Sequence, residues 1–97
     1  MLSCSQKVLL ASLDLSEDRG VFCAEELVVR AWRMFPKDFG LRLFNDCHPD
    51  SNRVLARVMG ARGLCSRGLL ERVAERQYRI TDEGARLAKC LGPKGGV

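Results

Sequence analysis

The chain has a single histidine, His48, and five cysteines without one C-x-x-C spacing. A structural zinc cage asks for four ligands at tight local spacing, and a disulfide framework asks for an even count, so neither is expected here. Cys47 beside His48 is the only suggestive pair. Small reduced thiols, buried or half-buried, are the simpler reading. Apolar runs stay well short of the roughly 18 residues that a membrane helix needs. The opening Met1-Leu2-Ser3-Cys4-Ser5 also lacks the charged-then-apolar build of a signal peptide. The expectation is a soluble, cytoplasmic protein with no membrane partner.

Catalytic sets are missing as well. The glycines are scattered, with no G-x-x-x-x-G-K-[ST] or G-x-G-x-x-G, and one histidine cannot build a Cys/His dyad with an orienting third group. Carboxylates fall mainly at helix surfaces and caps. The chain is therefore read as a non-enzyme that needs no cofactor or metal.

Its charge is present but unevenly placed. Residues 1–50 carry six Lys/Arg against eight acids, whereas residues 51–97 carry ten against four. The net charge of +4 thus conceals a basic second half. Such a split suits a surface facing a polyanion, most simply nucleic acid; the plainer alternative is a solvated basic face that keeps the chain in solution.

With 97 residues, 46% of them apolar, one domain is expected over residues 1–92. Gly92-Pro93-Lys94-Gly95-Gly96-Val97 cannot continue a helix, so residues 93–97 read as a flexible tail or the start of a linker. Residues 5–13 form a first helix, with Leu9 and Leu13 inward and Lys7 and Ser12 facing away; the polar segment 14–20 reads as a turn. Val21 and Phe22 make a short apolar run. A second helix starts at Ala24, with Cys23 and Glu26 outlining a capping box, and Pro36 stops it. Leu27, Val28, Ala31, Trp32 and Phe35 mark its core face.

The stretch PKDFGLRLFNDCHP, from Pro36 to Pro49, is far longer than the three or four residues of a tight helix-turn-helix connection. Phe39, Leu41 and Leu43 alternate within it, so it reads as an ordered, partly apolar loop. Phe39 and Phe44 either pack under the next helix or face a partner protein.

A third helix is expected over residues 51–62, capped by Asp50, with Val54, Leu55, Val58, Met59 and the stem of Arg62 inward. Asn52, Arg53, Ala56, Arg57 and Gly60 are left outside. Residues 69–74 and 77–81 form a hairpin turning at Glu75-Arg76; Tyr78 and Ile80 point to the core, and Gln77 and Arg79 point outward with Arg76 at the tip. Glu71 and Glu75 lie close enough in sequence to offset those arginines. Thr81 caps a closing helix that carries Ala85, Leu87, Ala88 and Leu91.

This order, with the run Tyr78-Arg79-Ile80-Thr81-Asp82-Glu83-Gly84, resembles the second half of a winged helix-turn-helix domain. The resemblance implies a small α+β fold of three to four helices with a two- or three-stranded antiparallel wing, to which the 21–22 strand adds. It also implies binding of double-stranded DNA, as a small transcriptional regulator or as the DNA-docking module of a larger bacterial-type protein. The resemblance assigns Ser51, Asn52, Arg53 and Ala56 to base edges and Arg57 to phosphate, with Arg76, Gln77 and Arg79 as wing contacts. The alternative is a protein-interaction winged helix that touches no DNA and docks a partner through the segment 36–49. A homodimer would have to use the first or last helix, because no long heptad is present.

Overall fold

The computed structural model describes residues 2–91; the tail expected at residues 93–97 lies outside them. It is a small α+β fold. Among the described residues five helices, α1 (Cys4–Arg19), α2 (Ala24–Met34), α3 (Pro36–Phe39), α4 (Ser51–Met59) and α5 (Asp82–Cys90), are interspersed with five strands. Strands β1 (Val21–Cys23), β4 (Leu70–Ala74) and β5 (Gln77–Ile80) form one antiparallel sheet in the order β1-β5-β4. Strands β2 (Gly40–Leu41) and β3 (Phe44–Pro49) form a separate hairpin.

The first helix is longer than its sequence suggests. Ser3 caps it, its Oγ accepting from the Gln6 amide at 3.1 Å while its own amide donates to Gln6 Oε1 at 2.8 Å. This reciprocal pairing satisfies two amides that the first turn would otherwise leave bare. Ser3→Ala is accordingly expected to lower stability by about 1 kcal/mol, read as the shift in a urea midpoint. At the other end, the polar segment 14–19 is the outer face of the helix and not a turn. Leu15 beneath it is buried, and Asp14 and Asp18 both receive the Arg30 guanidinium of α2. Gly20, at φ 74°, ends the helix.

Helix α1 lies at the centre of the domain, touching α2, α4, α5, β1 and β5. Neighbours on so many sides explain why Val8, Leu9, Leu10, Ala11 and Leu13 are all buried with no polar side among them. Ser12, expected outside, is buried too, and donates its hydroxyl to the Val8 carbonyl at 2.9 Å. Phe22, Leu27, Phe39, Val54, Val58, Leu64 and Tyr78 complete the core, with Trp32 and Phe35 packed half-buried against it.

The 36–49 segment holds a helix beyond the expected three to four and a hairpin. Pro36 stands at the first position of α3, where its missing N–H is no loss. Phe39 drops into the core and meets Phe35 edge-on at 6.4 Å, while Leu43 and Phe44 stay in solvent. Of the two phenylalanines, Phe39 thus packs inside and Phe44 does not.

Candidate functional site: a basic face around helix α4

Helix α4 begins where Asp50 accepts the Arg53 amide at 3.3 Å. It ends at Met59, three residues before the expected stop. The reason is local. Leu64 donates its amide to the Arg57 carbonyl at 2.8 Å and Cys65 to that of Val58 at 3.1 Å, so the returning chain takes the carbonyls that another turn would have used. Gly63 makes this return possible: a Cβ there would sit 2.5 Å from the Val58 oxygen. Leu64 plugs the core behind it. The loop carrying Arg62 and Arg67 is thereby fixed against the end of α4.

Val54 and Val58 are fully buried, and they set the orientation of α4. At about 100° per residue, the point opposite their midline is Ala56, with Asn52 and Gly60 about 40° to either side. These three form the outermost ridge, and all are exposed. Arg53 and Arg57 lie down one flank. Met59 lies down the other, 61% exposed and not inward as its sequence position suggests, its Sδ accepting the Tyr78 hydroxyl at 3.3 Å. The expected Arg62 stem is likewise outside the helix and exposed. Ser51 is exposed at the first helical position, off the ridge.

The hairpin is the second wall of this face. Arg72 on β4 is the cross-strand partner of Tyr78, so it stands on the sheet face that looks toward α4. It lies near the Cys65 thiol; burial pushes that thiol up from its ordinary range, and the Arg72 charge pulls the other way. Gln77 and Arg79 alternate with Tyr78 on the middle strand and therefore point to the opposite face of the sheet. Arg79 there is held by Glu71, directly across the ladder, at 2.6 Å.

Arg76 does not project freely from the hairpin tip. Its guanidinium donates to Glu25 at 2.7 and 3.0 Å, and its carbonyl accepts the Ala24 amide at 2.9 Å, tying the tip to the start of α2. The hydrogen bonds from Arg76 hold the Glu25 carboxyl below its usual range, and Glu25 raises Arg76 in turn. A carboxylate lowered on folding supports the folded state at neutral pH, and that support is lost as pH falls through its folded pKa. Arg53 is partly engaged as well, donating to the Asp38 carbonyl at 3.1 Å and standing 3.7 Å from the Asp50 carboxylate.

The arginines therefore divide into two sets. Arg76 and Arg79 are exposed but paired with acids, and Arg53 is half-committed. Arg57, Arg62, Arg67 and Arg72 are exposed and have no acidic partner among the described residues. The structure brings Ser51, Asn52, Arg53, Ala56 and Arg57 together on one helix and sets Gln77 and Arg79 behind it. Sequence reasoning did not single out Arg62, Arg67 and Arg72; for Arg72 the available signal is its register opposite Tyr78.

Among the described residues no group of three or more His, Cys, Asp or Glu is arranged to hold a metal, and no helix is long and apolar enough to cross a membrane. Comparisons of the chain with protein-family models, with curated proteins and with solved structures return no match.

Proposed function

We propose that this chain is a double-stranded DNA-binding module of the winged helix-turn-helix type, serving as a small transcriptional regulator or as the DNA-docking part of a larger protein. One observation carries the reading: the slim Asn52–Ala56–Gly60 ridge of α4 is flanked by exposed arginines with no acidic partner among the described residues. A helix about 10–12 Å across matches a major groove about 12 Å wide, and a ridge without bulky side chains lets the backbone sit deep. Arg57 on one flank and Arg72 on the other then meet the two phosphate rails, with Arg62 and Arg67 extending the contact past the end of α4. The helix N-terminus is not itself the anion receptor, because the Asp50 carboxylate already occupies it.

The test is fluorescence anisotropy of a labelled mixed-sequence duplex at several salt concentrations. Four phosphate contacts predict a log-log slope of about −3 to −4. Folded protein that leaves the anisotropy unchanged at low salt rules the reading out.

One observation favours a second reading, docking of a protein partner without DNA. Leu43 is 88% exposed and Phe44 58% exposed at the tip of the β2–β3 hairpin, an apolar pair that solvent does not reward. Under that reading Leu43→Ser with Phe44→Ser abolishes function, and reversing the α4 arginines does not.

A further inference from the structure

The ridge of α4 also bears on what it would read. Three exposed positions face outward, Ala56 directly and Asn52 and the C-cap Gly60 about 40° to either side, and they are chemically distinct: a methyl at Ala56, an amide at Asn52 and bare backbone at Gly60. No arginine stands among them. Arg57 lies about 100° around the helix from Ala56. Arg53 lies closer, but its guanidinium is drawn to the Asp38 carbonyl and the Asp50 carboxylate. The bidentate partner of guanine O6 and N7 is therefore off the ridge, and so is any carboxylate that would accept from cytosine N4. The Asn52 amide makes no hydrogen bond to the rest of the chain among the described residues, leaving its donor and its acceptor both available. That pair matches adenine, which offers N7 as acceptor and N6 as donor in the major groove. Ala56 follows one turn later on the same line, where a small methyl suits contact with the C5-methyl of thymine. Gln77 carries the same amide chemistry, but it stands on the far face of the sheet from α4.

We infer that α4 reads an adenine–thymine step, with Asn52 on adenine and Ala56 on the thymine methyl, while the flanking arginines hold phosphate without regard to sequence. This inference rests on the DNA reading above.

The experiment is selection of bound duplexes from a randomised pool by the full chain, followed by anisotropy on the selected duplex and on variants of it. A selected site containing an A·T pair is expected, and replacing that pair by G·C should weaken binding roughly tenfold or more. Asn52→Ala should level the affinities of the two duplexes and leave the salt slope unchanged, since no phosphate contact is lost. Replacing thymine by uracil at the adjoining pair should weaken the wild-type protein and leave an Ala56→Gly variant indifferent. Circular dichroism establishes that each variant is folded, as exposed helix positions allow. Duplex binding with no A·T preference, or a preference that survives Asn52→Ala, overturns the inference while the phosphate-binding face stands. Failure of folded wild-type protein to bind any duplex overturns the DNA reading and this inference together.

Discussion

Replacing Gly84 by alanine is expected to lower the melting temperature by roughly 8 to 16 °C. Gly84 lies in the first turn of α5, and a Cβ built on it would stand 2.0 Å from the Leu69 carbonyl oxygen and 2.9 Å from its carbon. Backbone cannot rotate aside as a side chain can, so α5 and the 69–70 segment have to separate. Forced overpacking of this kind costs about 3 kcal/mol, of which the better helix propensity of alanine offsets about 1 kcal/mol. The separation also strains a set of hydrogen bonds at the same junction. The Thr81 hydroxyl donates to the Gly68 carbonyl at 2.7 Å and accepts the Gly84 amide at 2.9 Å, and the Thr81 amide reaches the Leu69 carbonyl at 3.2 Å. Gly20→Ala serves as the control. Nothing lies within 4 Å of that position, and only its φ of 74° opposes a side chain. With ψ at −78° this is the strained γ-turn region, so alanine is expected to cost about 1 to 3 kcal/mol as local backbone strain, with no packed segments forced apart. Thermal unfolding by circular dichroism measures both. An unchanged melting temperature for Gly84→Ala would mean that α5 does not close against Leu69. Because that junction anchors the loop and strand that carry Arg67 and Arg72, its loosening should also weaken whatever the basic face binds.

What the sequence reveals of this fold depends on how local the deciding interaction is. The Asp50 cap of α4, the turn at Glu75-Arg76 and the inward Tyr78 are legible because a cap or a two-residue alternation decides them within a few positions. The length of α1 is not, because its polar second half is held by Arg30, which lies sixteen and twelve residues away from the acids it binds. A run of Asp, Ser and Glu before a glycine has the composition of a turn, and only a partner helix makes it a helical face. The segment 36–49 is legible as ordered but not as a short helix and a hairpin. Its strand pairing shifts register between Gly40 and Leu41, where simple alternation no longer tracks the faces. Met59 fits the apolar period of α4, yet it sits past the last buried turn and meets Tyr78 from outside. The site was legible in the same uneven way. Exposure of Asn52, Arg53, Ala56 and Arg57 follows from helical period, whereas the neutralisation of Arg76 by Glu25 spans 51 residues and has no local signature.

That division of the arginines gives the second large effect. Arg57→Glu with Arg72→Glu is expected to weaken duplex binding by on the order of a hundredfold at low salt and to flatten the salt slope by about two contacts' worth, near 1.8. Both positions are exposed and carry no acidic partner among the described residues, so the exchange breaks no ion pair and places two negative charges where phosphates would lie. Arg76→Gln with Arg79→Gln removes the same number of cations from the surface, but each already has its charge offset by a carboxylate, and Arg79 faces away from α4. A change of less than about threefold in affinity is expected for that pair, because an exposed ion pair contributes little at a distance beyond the screening length. Its effect should appear in stability instead, since Arg76 ties the hairpin tip to α2. Anisotropy titrations of the two double variants at matched salt separate the outcomes. Because the glutamate exchanges remove four charge units and the glutamine exchanges two, an Arg76/Arg79 loss about half as large on a logarithmic scale would mean that net charge alone draws the duplex, with no preferred face. Loss only in the Arg76/Arg79 variant would move the contact to the outer face of the sheet, around Val21 and Glu71. Loss only in the Arg57/Arg72 variant is what a helix seated between two phosphate rails requires, because of the four arginines exchanged only those two are without an acidic partner among the described residues.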